Sequence, residues 1–95
     1  MIQYYRELTR LEMEQIDREH TIVLIPLGAL EQHGNQAPLG TDGLIAETMP
    51  RYLKEELLAA DPDFPMLIFP AIPIGLSTEH KNFCGSITFK PDTYY

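Results

Sequence analysis

The apolar positions along the chain fall into three kinds of stretch. "TIVLIPLG", Thr21 to Gly28, is a run of β-branched and aliphatic residues without polar alternation, the pattern of a strand covered on both faces, and it predicts a buried strand over Ile22–Leu27. "GLIAETMPRYLKEELLAA" follows, with Ile45, Met49, Leu53 and Leu57 recurring every four residues, which predicts an amphipathic helix whose apolar stripe packs on the strand layer. Thr41 or Asp42 is placed to cap it. Pro50 removes one helical hydrogen bond and predicts a kink, because the stripe continues in phase beyond it.

Shorter signals fill in the remainder. Thr9 followed three residues later by Glu12 in "LTRLEMEQID" is the capping-box spacing and predicts a short helix there. "DPDFP" is a turn cluster, and "MLIFPAIPIG" is a second apolar run whose far end is made irregular by Pro70 and Pro73. "GSITF" reads as a third short strand, and "KPDTYY" as the opening of another helix capped by Asp92 or Thr93. Strand, helix, strand with buried strands implies a parallel βαβ unit, so the fold class is α/β. An all-parallel sheet needs helices on both faces, and too few elements are present. Residues 1–95 are therefore expected to form one domain that is the N-terminal part of a larger one.

Composition narrows the function classes. With 7 Lys and Arg against 14 Asp and Glu, the formal charge is -7, which repels a phosphate backbone or an anionic lipid surface; neither nucleic acid nor membrane is an expected partner. The first ten residues lack a signal-peptide pattern, and the longest apolar run is too short to span a bilayer. Cys84 is the only cysteine, so no internal disulfide is available, and a reducing, cytoplasmic setting is expected.

The first apolar run opens into "LEQHGNQAPLGTD", which gathers Glu31, His33 and Asp42 in a stretch turned by Gly34, Pro38 and Gly40. In extended backbone, residues i and i+2 point to one side, so Glu31 and His33 can converge, and Asp42 can join them when the loop returns. Carboxylate, imidazole and carboxylate suit Zn²⁺ or Mn²⁺. Ligands of open parallel sheets also bind beyond the carboxyl ends of strands, where this loop lies. A solvated loop with exposed acids accounts for the same residue types.

The same residues carry a resemblance. "PLGALEQHGNQAPLGTD" resembles the metal-binding signature of the creatininase (creatinine amidohydrolase) family, "GLSTEHKNFCGSITF" is similar to a later family segment, and "LTRLEMEQI" resembles its lead-in. The resemblance implies an α/β/α layered fold with a parallel sheet, incomplete in this chain, and a cytoplasmic amidohydrolase, commonly a homo-oligomer and often a hexamer. It implies two divalent ions, Zn²⁺ or Mn²⁺, with Glu31 on one, His33 on the other and Asp42 bridging both. Such a pair acidifies a shared water and polarises the amide carbonyl of a small, polar and sometimes cyclic substrate.

Ser77 and His80 stand where the resemblance places the substrate pocket. The family's other ligands, a histidine and a glutamate, and its general base are expected beyond residue 95. Asn35, Gln36 and Ala37 replace a stretch that often carries a second histidine, and Cys84 and Ser86 replace proline and threonine. A different class fits the incomplete ligand set: a non-catalytic metal-binding or assembly subunit. Cys84 lies four residues after His80, but nothing in the sequence supplies the environment that would activate a thiol, and a small buried thiol is the simpler expectation.

Overall fold

The computed structural model describes residues 1–95. Three short strands form one sheet: β1 (Ile2–Tyr4), β2 (Ile22–Leu24) and β3 (Met66–Ile68), in the order β1-β3-β2 with both pairings parallel. Helix α1 (Arg10–Glu14) connects β1 to β2, and α2 (Thr41–Ala60) connects β2 to β3. The chain closes on a helical turn, α3 (Pro91–Tyr94).

Register dictates the core. Ile2, Met66 and Ile22 stand side by side, as do Tyr4, Ile68 and Leu24, so these residues share one face of the sheet. Ile2, Met66 and Ile68 form the buried cluster, with Leu57 and Leu58 of α2 and Phe64 packed against it. β3 is buried at all three positions because it is the central strand. α1 starts as its cap predicts: the Thr9 hydroxyl accepts from the Glu12 N–H at 3.2 Å, and it donates to the Glu12 carboxylate at 3.1 Å.

Several expectations change. β2 spans only Ile22–Leu24 and lies at the sheet edge, where Ile22 is 54% and Val23 47% exposed rather than buried. The α2 stripe is rotated from the predicted one. Ala46, Pro50, Lys54 and Leu57 turn inward, whereas Ile45, Met49 and Leu53 are exposed. Pro50 is the buried residue of α2 and lies within one continuous helix. Small Ala46 and Pro50 let the helix approach the sheet, and Lys54 lays its ammonium 4.9 Å from the Tyr4 ring centroid.

"GSITF" contributes only an isolated antiparallel bridge, Leu30 to Ile87, in place of a strand. α2 begins after Gly40 without a side-chain cap, and α3 after Lys90 with Pro91 leading it. Cys84 is exposed, not buried. β1, which the opening residues did not suggest, completes the sheet by pairing with β3.

Candidate metal centre

β2 gives way to a parallel bridge at Leu27 and Ile72, clasped by the Gly28 N–H to Ile72 carbonyl bond at 2.8 Å and the Ile72 N–H to Pro26 carbonyl bond at 3.0 Å. The chain then runs out between two supports. On one side the Ile87 N–H donates to the Leu30 carbonyl at 2.8 Å and the Gln32 N–H to Ser86 Oγ at 3.0 Å; on the other the Glu31 N–H donates to the Leu39 carbonyl at 3.2 Å. Glu31 is therefore held by its backbone. Gly34 takes φ 78°, a left-handed conformation open to glycine, and turns the loop back towards α2. Asp42 arrives in the first turn of that helix.

The loop brings Glu31, His33 and Asp42 together, their ligand atoms lying within 4.8 Å of one another. His33 Nε2 is 3.4 Å from Asp42 Oδ2 and 4.0 Å from Glu31 Oε1. That nitrogen is buried and has no hydrogen-bond partner. A buried polar atom normally finds one, and here it faces two carboxylates across distances too long for good hydrogen bonds. A cation between them would satisfy all three, so the donor set fits Zn²⁺ or Mn²⁺.

A second group shares Glu31. His80 Nε2 lies 3.9 Å from Glu31 Oε2 and 3.9 Å from Glu79 Oε1, so the two oxygens of one carboxylate face two different histidines. Gln32 decides what His80 can do. Its Oε1 accepts from the Gly34 N–H at 2.9 Å, which orients the amide so that Nε2 lies 3.0 Å from His80 Nδ1. The amide nitrogen can only donate, so Nδ1 accepts and the neutral ring carries its proton on Nε2. His80 thus presents an N–H towards Glu31, whereas His33 Nε2 has no hydrogen-bond partner. Of the two three-residue groups, the one containing His33 is the better cation site.

Ser77 is fully buried. Its N–H donates to Thr88 Oγ1 at 2.8 Å, and its own hydroxyl has no partner. Ser77 is closed to a substrate in this structure, while His80 stands beside the ligand group. Spacing gives no signal for Gln32, which lies between Glu31 and His33 in an extended segment where alternation predicts that it points away from them. The partner that makes it informative, His80, comes from 48 residues later.

The family profile described as "Creatininase: Creatinine amidohydrolase" matches residues 6–95. The chain belongs to the creatininase family. Among curated proteins, this creatininase-family chain is 38% identical over 85 residues to the mycofactocin precursor peptide peptidase of Mycobacterium tuberculosis (strain ATCC 25618 / H37Rv), covering 86% of this chain and 34% of that protein. The protein of the same name from Mycobacterium ulcerans (strain Agy99) is 36% identical over 86 residues, again with 86% and 34% covered.

Solved structures agree on the fold. A mutant creatininase superposes with a TM-score of 0.75 at 24% identity, and "Creatininase Mn" with 0.69 at 24% identity, each covering 95% of this chain and 35% of that one. A mutant creatininase of Zn-Zn type gives 0.69 at the same identity, with 34% of its chain covered. The chain spans about one third of the length of the relatives it matches.

Proposed function

We propose that this chain supplies the metal-holding half of an amide hydrolase. Glu31, His33 and Asp42 would hold Zn²⁺ or Mn²⁺. The observation that carries the reading is His33 Nε2, a buried nitrogen without a hydrogen-bond partner that faces two carboxylates. When bound, such ions supply Lewis acidity for an amide carbonyl and lower the pKa of a water towards neutrality. The protein's own residues do the rest: Glu31 is positioned by its N–H bond to Leu39, and His80, with its proton on Nε2, can donate to a polar substrate group beside Glu31.

The substrate class follows from the relatives as a proposal: a C–N amide bond in a peptide or in a small polar, including cyclic, molecule. The mycofactocin precursor peptide peptidases, at 38% and 36% identity, favour the peptide. We place the chain in the cytoplasm, where an exposed lone thiol such as Cys84 stays reduced, and as part of an oligomer. The residues form part of one larger creatininase-like domain, whose other ligands and general base come from polypeptide beyond the third of the fold present here.

A second reading rests on that same one-third coverage: a metal-binding or assembly subunit without turnover. Metal analysis of the protein after dialysis against zinc or manganese tests the site directly. Stoichiometric metal that is lost on Asp42→Ala supports the proposal; no stoichiometric metal in the parent chain, or undiminished metal in the variant, refutes it. Turnover of a lactam or a short peptide by the metal-loaded protein then separates the enzyme from the non-catalytic subunit.

A further inference from the structure

We propose that a cleft at the carboxyl ends of the strands, between Arg6 and Arg51, binds the carboxylate of a small monocarboxylic acid. One wall is made where the sheet stops: Tyr4 ends β1, Ile68 ends β3, and Pro26 lies two residues beyond β2. Ligands of open parallel sheets bind beyond such ends. Two successive turns of α2 close the opposite wall with Glu47, Pro50 and Arg51. Pro26, Pro50 and Ile68 are buried whereas both arginines are exposed, so the cleft has an apolar floor and a cationic rim. The Tyr5 ring packs edge-on against Phe69, with 5.3 Å between centroids, and anchors the segment that carries Arg6.

The two guanidinium groups are the donors of this site. Pro26, Pro50 and Pro70 line it without an N–H to offer, whereas a guanidinium matches a carboxylate with two parallel hydrogen bonds. Neither arginine is satisfied within the chain, where Arg10 alone among the Lys and Arg residues has a carboxylate partner. Glu47 lines the same cleft four residues before Arg51, the spacing of a helical ion pair, yet forms none with it. Lys54 adds its ammonium 4.9 Å from the Tyr4 ring centroid, so three of the seven Lys and Arg gather at one strand end.

Charge and room define the ligand. The formal charge of -7 opposes polyanions, but distant acids are screened over about 8 Å at physiological ionic strength, so a monoanion in the cleft meets chiefly the adjacent guanidinium groups. A dianion such as phosphate is repelled more strongly by Glu47. The cavity holds about 60 Å³, and a buried water takes roughly 10–15 Å³ on that scale, which leaves room for about four water-sized groups. A carboxylate on a two-carbon apolar tail, as in propionate, fills it.

This site goes beyond the proposed function and is independent of the metal-holding group, so it is tested on the chain freed of metal by chelator. Propionate is added at constant ionic strength while NMR follows the Arg6 and Arg51 Nε–H signals and the amides of Tyr4, Phe69 and Ala71. Saturable shifts with a Kd of about 1–10 mM are expected, and the neutral isostere propionamide should produce none. Arg6→Gln and Arg51→Gln should each weaken binding by about tenfold or more with unchanged circular dichroism. Glu47→Gln should tighten it by about threefold, because it removes the competing carboxylate. If the arginine stems merely cover the apolar floor, propionamide and propionate will act alike. That result, shifts reproduced by sodium chloride, undiminished affinity in folded Arg51→Gln, or phosphate binding as tightly as propionate would each overturn the proposal. The propionamide comparison uses the parent chain, so it decides even where a variant fails to fold, and no outcome bears on metal retention by Glu31, His33 and Asp42.

Discussion

Gly28 and Gly43 touch backbone to backbone: a Cβ on Gly28 would lie 2.9 Å from the Gly43 Cα and 3.2 Å from the Ile72 carbonyl oxygen. This contact sets the distance between the end of the first apolar run, which leads into Glu31, and the first turn of α2, which presents Asp42. Gly28→Ala must push these backbones apart. An overpacking cost of about 1–3 kcal/mol is expected in denaturant unfolding, with weaker metal retention because Asp42 moves with the helix. Gly43→Ala should act in the opposite direction. Its Cβ would enter open space, so removing a helical glycine should stabilise the chain by about 0.5–1 kcal/mol.

The two histidine groups predict different mutational outcomes. His33→Ala should lower Zn²⁺ or Mn²⁺ affinity by about 100-fold or more, since loss of a ligand should cost at least as much as loss of the outer partners that orient ligands. Glu79→Gln should change it by less than about threefold, because Glu79 is largely exposed and faces a ring nitrogen that carries a proton. Chelator competition measures both. Equal losses in the two variants would move the cation to the group containing His80.

Gln32 should control the His80 tautomer. In the parent chain, ¹⁵N shifts of the neutral ring should report a protonated Nε2 and an unprotonated, hydrogen-bonded Nδ1. Gln32→Leu removes the donor to Nδ1 and should admit the other tautomer. An unchanged ring spectrum in the variant would mean that the Gln32 amide does not set the proton's position.

In the turn between α1 and β2, Asp17 Oδ2 lies 2.8 Å from His20 Nδ1, and the bond to His20 holds the Asp17 carboxyl below its usual value of 3.8. A depressed folded-state value means that the contribution is present above the unfolded value and disappears as pH falls through the folded one. The pair is solvent-exposed, so its effect on stability is confined to acid and is small. An NMR titration should place the Asp17 midpoint below 3.8, and His20→Ala should return it to the ordinary range.

The sequence by itself determined the local devices. Thr9 caps α1, the apolar run after it forms a strand, and the glycines and proline after Gly28 fold the loop so that Glu31, His33 and Asp42 meet. These outcomes depend on backbone preferences and side-chain alternation over a few residues, which spacing encodes directly. Tertiary structure decided what depends on neighbours far along the chain. β1 exists because β3 offers Ile2–Tyr4 a parallel partner, and α2 turns Ala46 and Pro50 inward in place of Ile45 and Met49 because close approach to the sheet favours small residues. Likewise, the exposure of β2 follows from its place at the end of the strand order, and the proton on His80 from Gln32, 48 residues away. Periodicity shows which residues can share a face; only the packed neighbours decide which face is covered.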